Sequence, residues 1–192
     1  MKSIVSAFIA AILPTWLVAG GATAHAGYET ASYRVVRQDG NFELREYPAL
    51  TLAETPMRGM NGGFMRLFHF IGGENAAKKK IAMTTPVLIS HAGTTNATMG
   101  FVMPASLGTN GTPAPTQSDV VVKQIPAGRF AVYCFSGGRS VKNSTNALAQ
   151  LTGWLARQKI SPQGEPVFAY FDPPWTLTFL RRNEVMFRVT QP

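Results

Sequence analysis

Two strand–corner–strand stretches, each turning on Pro-Ala, constrain this chain more than any other feature. Phe42-Glu43-Leu44-Arg45-Glu46-Tyr47 alternates polar and apolar residues like a half-buried strand. Pro48-Ala49 turns it, and Leu50-Thr51-Leu52-Ala53-Glu54-Thr55 alternates again. Residues 120–125, Pro126-Ala127-Gly128 and residues 129–135 repeat that plan downstream. A helix follows each pair. Asn61 is placed to cap the first, and Phe64, Leu67, Phe68 and Ile71 fall at i, i+3, i+4 and i+7 before Gly72-Gly73 ends it. Ser140 is placed to cap the second, whose apolar stripe is Val141, Leu148, Leu151 and Leu155 with Trp154 at its side. Two further strands close each half: 83–90 with 98–103, and 167–172 with 184–190.

The predicted fold is therefore α+β, with duplicated β-β-α-β-β units. Units of this kind fuse their sheets into a distorted antiparallel β-barrel flanked by two helices. A polar loop over 108–118, rich in Thr, Pro and Gly, separates the halves.

The first residues read differently. Residues 1–26 carry Lys2, an apolar run from Ile4 to Ala19 and a closing Ala24-His25-Ala26, which together describe a secretory signal peptide. The run is short for a span of about 20 apolar residues and is interrupted by Pro14. The expectation is an exported chain, periplasmic or secreted, with residues 27–192 as its one domain and no stable membrane insertion after cleavage. The single cysteine, Cys134, cannot close an internal disulfide. Packing alone must hold the domain, and Cys134, inside a strand-like run, reads as a small core residue.

The formal net charge is +8. Its basic residues are dispersed, with one run at Lys78-Lys79-Lys80 and no interleaving of aromatic and basic groups, so a solvated surface is expected rather than a nucleic-acid interface. Metal-site spacings, a phosphate loop and a Gly-x-Ser-x-Gly elbow are all missing from the sequence. Nothing in it calls for an enzyme.

The first helix carries the most suggestive chemistry. Met65 and His69 share a flank at i and i+4, with Arg66 beside them and the edges of Phe64 and Phe68 nearby. Rings and a thioether suit a flat apolar ligand, and Arg66 or His69 suits an acidic group on it. A neutral imidazole can also ligate iron, although a solvated helix face would carry the same residues.

Several strings, in order, resemble the SOUL haem-binding proteins. They are residues 42–49, Phe70-Ile71-Gly72-Gly73-Glu74-Asn75, residues 80–87, Met99-Gly100-Phe101-Val102-Met103-Pro104, residues 132–137, Tyr170-Phe171-Asp172-Pro173-Pro174-Trp175, and Arg181-Arg182-Asn183-Glu184-Val185. The resemblance covers the chain from Tyr28 onward. It implies the duplicated barrel and a haem b or related porphyrin in a shallow apolar groove beside the first helix. It places Phe64 and Phe68 on the groove wall and His69 where relatives carry a basic side chain. Asn61 falls at a position that is basic in relatives. Met65 joins these as a groove contact, and His69 is either a groove contact or the iron ligand.

Elsewhere structural roles are expected. Pro86 should mark an edge or bulge, and Asp172-Pro173-Pro174-Trp175 a rigid turn whose indole covers apolar surface. Arg181, Arg182 and Glu184 should form a polar cluster, and Met83 and Met103 should lie in the core. Beside a haem carrier or buffer stands a second function, a small-ligand module resembling the effector-binding domains of multidrug-sensing regulators. Such a module needs a buried carboxylate for a cationic ligand, and Glu54 is the first-half candidate.

Overall fold

The computed structural model describes residues 27–108 and 111–190, so the predicted leader over residues 1–26, with His25, lies outside the described residues. In chain order come β1 (Glu29–Thr30), β2 (Arg34–Asp39), β3 (Phe42–Tyr47), β4 (Leu50–Pro56), α1 (Met60–Gly72), β5 (Thr84–Thr85), β6 (Val87–Ser90) and β7 (Thr98–Val102). After the loop come β8 (Val121–Ile125), β9 (Gly128–Phe135), α2 (Val141–Gln158), β10 (Pro162–Tyr170) and β11 (Asn183–Val189).

Nine strands form one antiparallel sheet in the order β2-β3-β9-β11-β10-β6-β7-β4-β8, while β1 and β5 pair in parallel beside it. The sheet is open, which corrects the expected barrel. β2 and β8 each have one neighbour among the described strands. Both are largely exposed, so neither carries the inward apolar row that closure would bury. Outward from the β10–β6 junction the order is β11-β9-β3 on one side and β7-β4-β8 on the other. The first strand of each predicted unit thus pairs with the second strand of the other: β3 with β9, and β8 with β4.

Both helices pack on the same face, α1 on β4 and β7 and α2 on β9 and β11. The larger core lies there, with Leu67, Phe70, Ile71, Leu151, Trp154 and Leu155 against Ala53, Phe101, Ala131 and Val185. The other face holds a second apolar cluster made without helix residues: Leu52, Leu88, Val102, Val132, Ala169, Phe171 and Met186. Gly100 allows β7 to lie close to β4 there, because a Cβ at that position would meet both Leu52 methyl carbons at 2.9 Å.

The helices correct the sequence in instructive ways. The residue capping α1 is Gly59, and no side chain caps that end, so Asn61 lies inside the first turn. The buried residues of α1 are Gly63, Leu67, Phe70 and Ile71. Phe64 packs at the core's margin and Phe68 is 47% exposed. The stripe is rotated because Gly63, which sits 3.6 Å from Met99 when given a Cβ, lets the helix approach the sheet where a larger residue would hold it off. Gly73 ends α1 at φ 120°, a conformation a glycine adopts without strain. In α2, Ser140 caps as expected by accepting from the Asn143 amide at 3.2 Å. The buried face is Ala147, Leu151, Trp154 and Leu155, and Val141 stands in solvent. Pro86 separates β5 from β6 after a cis peptide, a break inside the run rather than a sheet edge.

Candidate functional site

A cleft of 570 Å³ opens between α1 and the segment that follows β10. Ligand pockets commonly span about 300–1,000 Å³. Met60, Asn61, Phe64, Met65 and Phe68 of α1 form one wall. Val87 and Met99 on the helix-covered face of the sheet form the floor, joined by Met83 and by Thr85 of β5. Tyr170 and residues 171–175 form the far wall, joined by Tyr28 and Arg139. Phe64 and Phe68 stack with centroids 5.9 Å apart, and Phe101 holds Phe64 edge-on at 5.3 Å. The wall therefore presents aromatic faces fixed from behind, which is what a planar apolar ligand packs against.

The charges in the cleft are few. The Arg139 guanidinium lies 4.5 Å over the Tyr170 ring and donates to the Asp172 carbonyl at 3.3 Å. The Asp172 carboxylate accepts the Arg182 amide at 2.7 Å. The first turn of α1 contains no acidic residue, so the positive end of that helix is unmasked beside the cleft. Arg139 and this helix end together favour a carboxylate on the ligand.

Four of the five site residues expected from the sequence, Asn61, Phe64, Met65 and Phe68, line this cleft. His69 does not: its Nδ1 lies 3.7 Å from Glu74 Oε1, and half of its side chain is in solvent. Arg66 turns away too, donating to Thr55 Oγ1 at 2.9 Å and to the Pro56 carbonyl. Among the described residues no cluster of three His, Cys, Asp or Glu side chains gathers to hold a metal. The lining instead offers the thioethers of Met60, Met65, Met83 and Met99, soft groups of a kind that can ligate haem iron. A porphyrin fits this set: rings and thioethers for its faces, Arg139 for a propionate. Arg139 went unnoticed in the sequence because it lies far along the chain from α1, and only the fold, which sets it over Tyr170 and against the Asp172 carbonyl, brings it in. Trp175 is 80% exposed and lines the cleft mouth rather than covering core. Met83 is half-buried on the cleft floor, while Met103 is a core residue.

Glu54 is not available as a cation trap. Its carboxylate pairs with Lys123 Nζ at 2.5 Å and accepts Thr98 Oγ1 at 2.9 Å. A second, smaller pocket of 290 Å³ lies on the helix-free face, among Tyr33, Tyr47, Leu88, Phe130, Met186 and Arg188. Next to it Arg45 and Glu184 form a buried pair that the half-buried Arg182 joins, with Arg182 Nη2 2.6 Å from Glu184 Oε1. Arg181 stays apart and donates to the Thr176 carbonyl at 2.8 Å. Burial, with the Glu184 carboxylate nearby, pushes the Cys134 thiol up to about 12, so it is not a thiolate nucleophile at neutral pH.

No curated protein matches the chain in sequence. Among solved structures, the C-terminal domain of EcmrR superposes with a TM-score of 0.53 at 17% identity, covering 83% of this chain and 99% of that domain. EcmrR in its complex with DNA gives 0.54 at 17% identity, but this chain spans only 57% of that protein. A protein from Listeria innocua described as a hydrolase gives 0.58 at 7% identity, covering 78% of this chain and 92% of its own. At such identities the likeness is one of fold alone. The model of the SOUL heme-binding protein matches residues 28–188, most of the chain. The chain belongs to the SOUL haem-binding protein family.

Proposed function

We propose that this protein is an exported tetrapyrrole carrier or buffer that holds haem b or a related porphyrin in the cleft between α1 and residues 171–175. The observation that carries the reading is the composition of that cleft: stacked Phe64 and Phe68 and four thioethers, with Arg139 as its side-chain cation. When bound, the porphyrin would supply its own iron chemistry; this chain's residues bind and orient it. Phe64, Phe68 and Met65 contact its face, and Arg139 meets a propionate. Asn61 lines the helix start. His69, one turn beyond Met65, lies outside the lining, so we assign it a rim position rather than the iron. The dispersed basic residues favour this ligand over nucleic acid, and no side chain in the cleft is set up for turnover. The mirrored strand order supports descent from two β-β-α-β-β units.

The second reading, a module for flat cationic molecules, is supported by the EcmrR-like fold. Glu54, already neutralised by Lys123, speaks against it. Competition tests the choice. With hemin bound, a flat cationic dye should fail to displace it and protoporphyrin should succeed; displacement by the dye at comparable concentration would favour the second reading.

A further inference from the structure

The segment after the cleft wall does something unusual for a protein surface. Leu177, Phe179 and Leu180 are 60–70% exposed and line neither the cleft nor the second pocket. Large apolar side chains clustered on one exposed loop mark an interaction site. The loop is held in shape: Thr176 N donates to the Pro173 carbonyl at 3.1 Å, Leu180 N to the Leu177 carbonyl at 2.9 Å, and Arg181 to the carbonyls of Thr176 and Pro174. These side chains are thus displayed on a fixed turn.

The start of α2 lies against the same loop, since a Cβ on Gly138 would sit 3.5 Å from Thr178 Cγ2. It adds Val141, 85% exposed, to the apolar group. The charges beside the patch are mostly cationic. Arg139, Lys142 and Arg181 flank it, with Asp172 behind it and Arg182 turned away onto Glu184, and residues 135–164 and 173–181 contain no Asp or Glu. Apolar side chains at the tip with cations at their side match the interface of an anionic bilayer, where rings and aliphatic groups enter the acyl boundary and the cations meet headgroup phosphates.

We propose that residues 175–180 and the start of α2 dock this protein onto anionic lipid bilayers. The attachment is peripheral; among the described residues no helix is long and apolar enough to cross a membrane. Trp175 belongs to both the patch and the cleft mouth, so a docked molecule holds its cleft at the lipid surface. A sparingly soluble ligand can then pass between bilayer and cleft without crossing water. That use rests on the tetrapyrrole reading; the docking does not.

The test is vesicle flotation of the chain from Gly27, which contains every described strand and helix, without hemin. Phosphatidylcholine vesicles with about one-third phosphatidylglycerol should carry the protein up, and phosphatidylcholine alone much less. The triple substitution Leu177→Ser, Phe179→Ser, Leu180→Ser should lower the apparent affinity at least about tenfold while thermal unfolding stays unchanged. Lys142→Glu, on an exposed first turn, should weaken it about threefold or more, as should raised salt. No flotation, or flotation indifferent to both variants, overturns the proposal. A dimer in solution that the triple substitution disperses, with no vesicle binding, assigns the patch to self-association and also overturns it. Hemin binding is measured separately, so either claim can fail alone.

Discussion

Arg45 and Glu184, far apart in sequence, meet as a fully buried two-pronged pair across the helix-free face of the sheet. Nη1 lies 2.7 Å from Oε2 and Nη2 3.0 Å from Oε1. Arg45 also reaches Glu43 at 2.6 Å and the Tyr47 hydroxyl at 3.1 Å, and sits 4.2 Å from the Tyr33 ring centre. Glu184 accepts from Arg182 as well. The pair joins β3, next to the edge strand β2, to β11, near the middle of the sheet, with β9 between them. Removing one partner of such a pair strands a buried charge and costs about 3–5 kcal/mol. Glu184→Gln should lower the thermal midpoint by roughly 2–4 °C for each kcal/mol lost in a chain of this size. Replacing both, Arg45→Met with Glu184→Leu, should recover most of that loss in the same calorimeter scan.

The same cluster sets an acid limit. Burial alone would raise the Glu184 carboxyl, but Arg45 and Arg182 outweigh it and hold it below its ordinary value of 4.5. The folded state therefore binds fewer protons than the unfolded chain in this range. The stability so gained is complete above about pH 4.5 and is lost as pH falls through the lower folded-state value. Urea midpoints taken from pH 7 downward should decline below that point, and in Glu184→Gln the decline should be shallower.

In the cleft, Arg139→Ala should weaken hemin binding roughly tenfold by removing the cation that meets a propionate. His69→Ala should change it less than about threefold, since His69 faces Glu74 outside the lining. Equilibrium titrations of the two variants side by side decide this. A collapse of binding in His69→Ala would place the imidazole on the iron.

Gly100→Ala tests the close approach of β7 to β4. Its added methyl meets Leu52 at 2.9 Å and should cost about 1–3 kcal/mol in urea unfolding. Leu52→Val in the same chain should return part of that loss by withdrawing the atoms it strikes.

The strands around both Pro-Ala corners were legible from their polar–apolar alternation, although both faces are buried at Leu44-Arg45 and over residues 51–53. β3 runs from Phe42 to Tyr47 as the pattern predicts. β2 was not legible: Arg34–Asp39 is exposed almost throughout, so burial left no period in it, and the openness of the sheet stayed hidden with it. The cleft wall was legible on α1, where Phe64, Met65 and Phe68 fall on the side of the helix that lines the cleft. Its helix rotation was not, since Gly63 carries no apolar mark. Arg139 and Trp175 come from segments that only the tertiary fold brings to α1. Arg45 looked like one more outward strand residue, and nothing local says that its partner is Glu184.

The central claim, a tetrapyrrole held against α1, is tested most directly by hemin titration of the chain from Gly27 beside Phe68→Asp, followed at the Soret band. The account predicts a saturable, near-stoichiometric shift in the unaltered chain, and loss of saturable binding when a carboxylate stands among the aromatic faces. An equal saturable shift in both would contradict the placement and turn attention to the pocket on the helix-free face. A slow, unsaturable change in the unaltered chain would contradict tetrapyrrole binding itself.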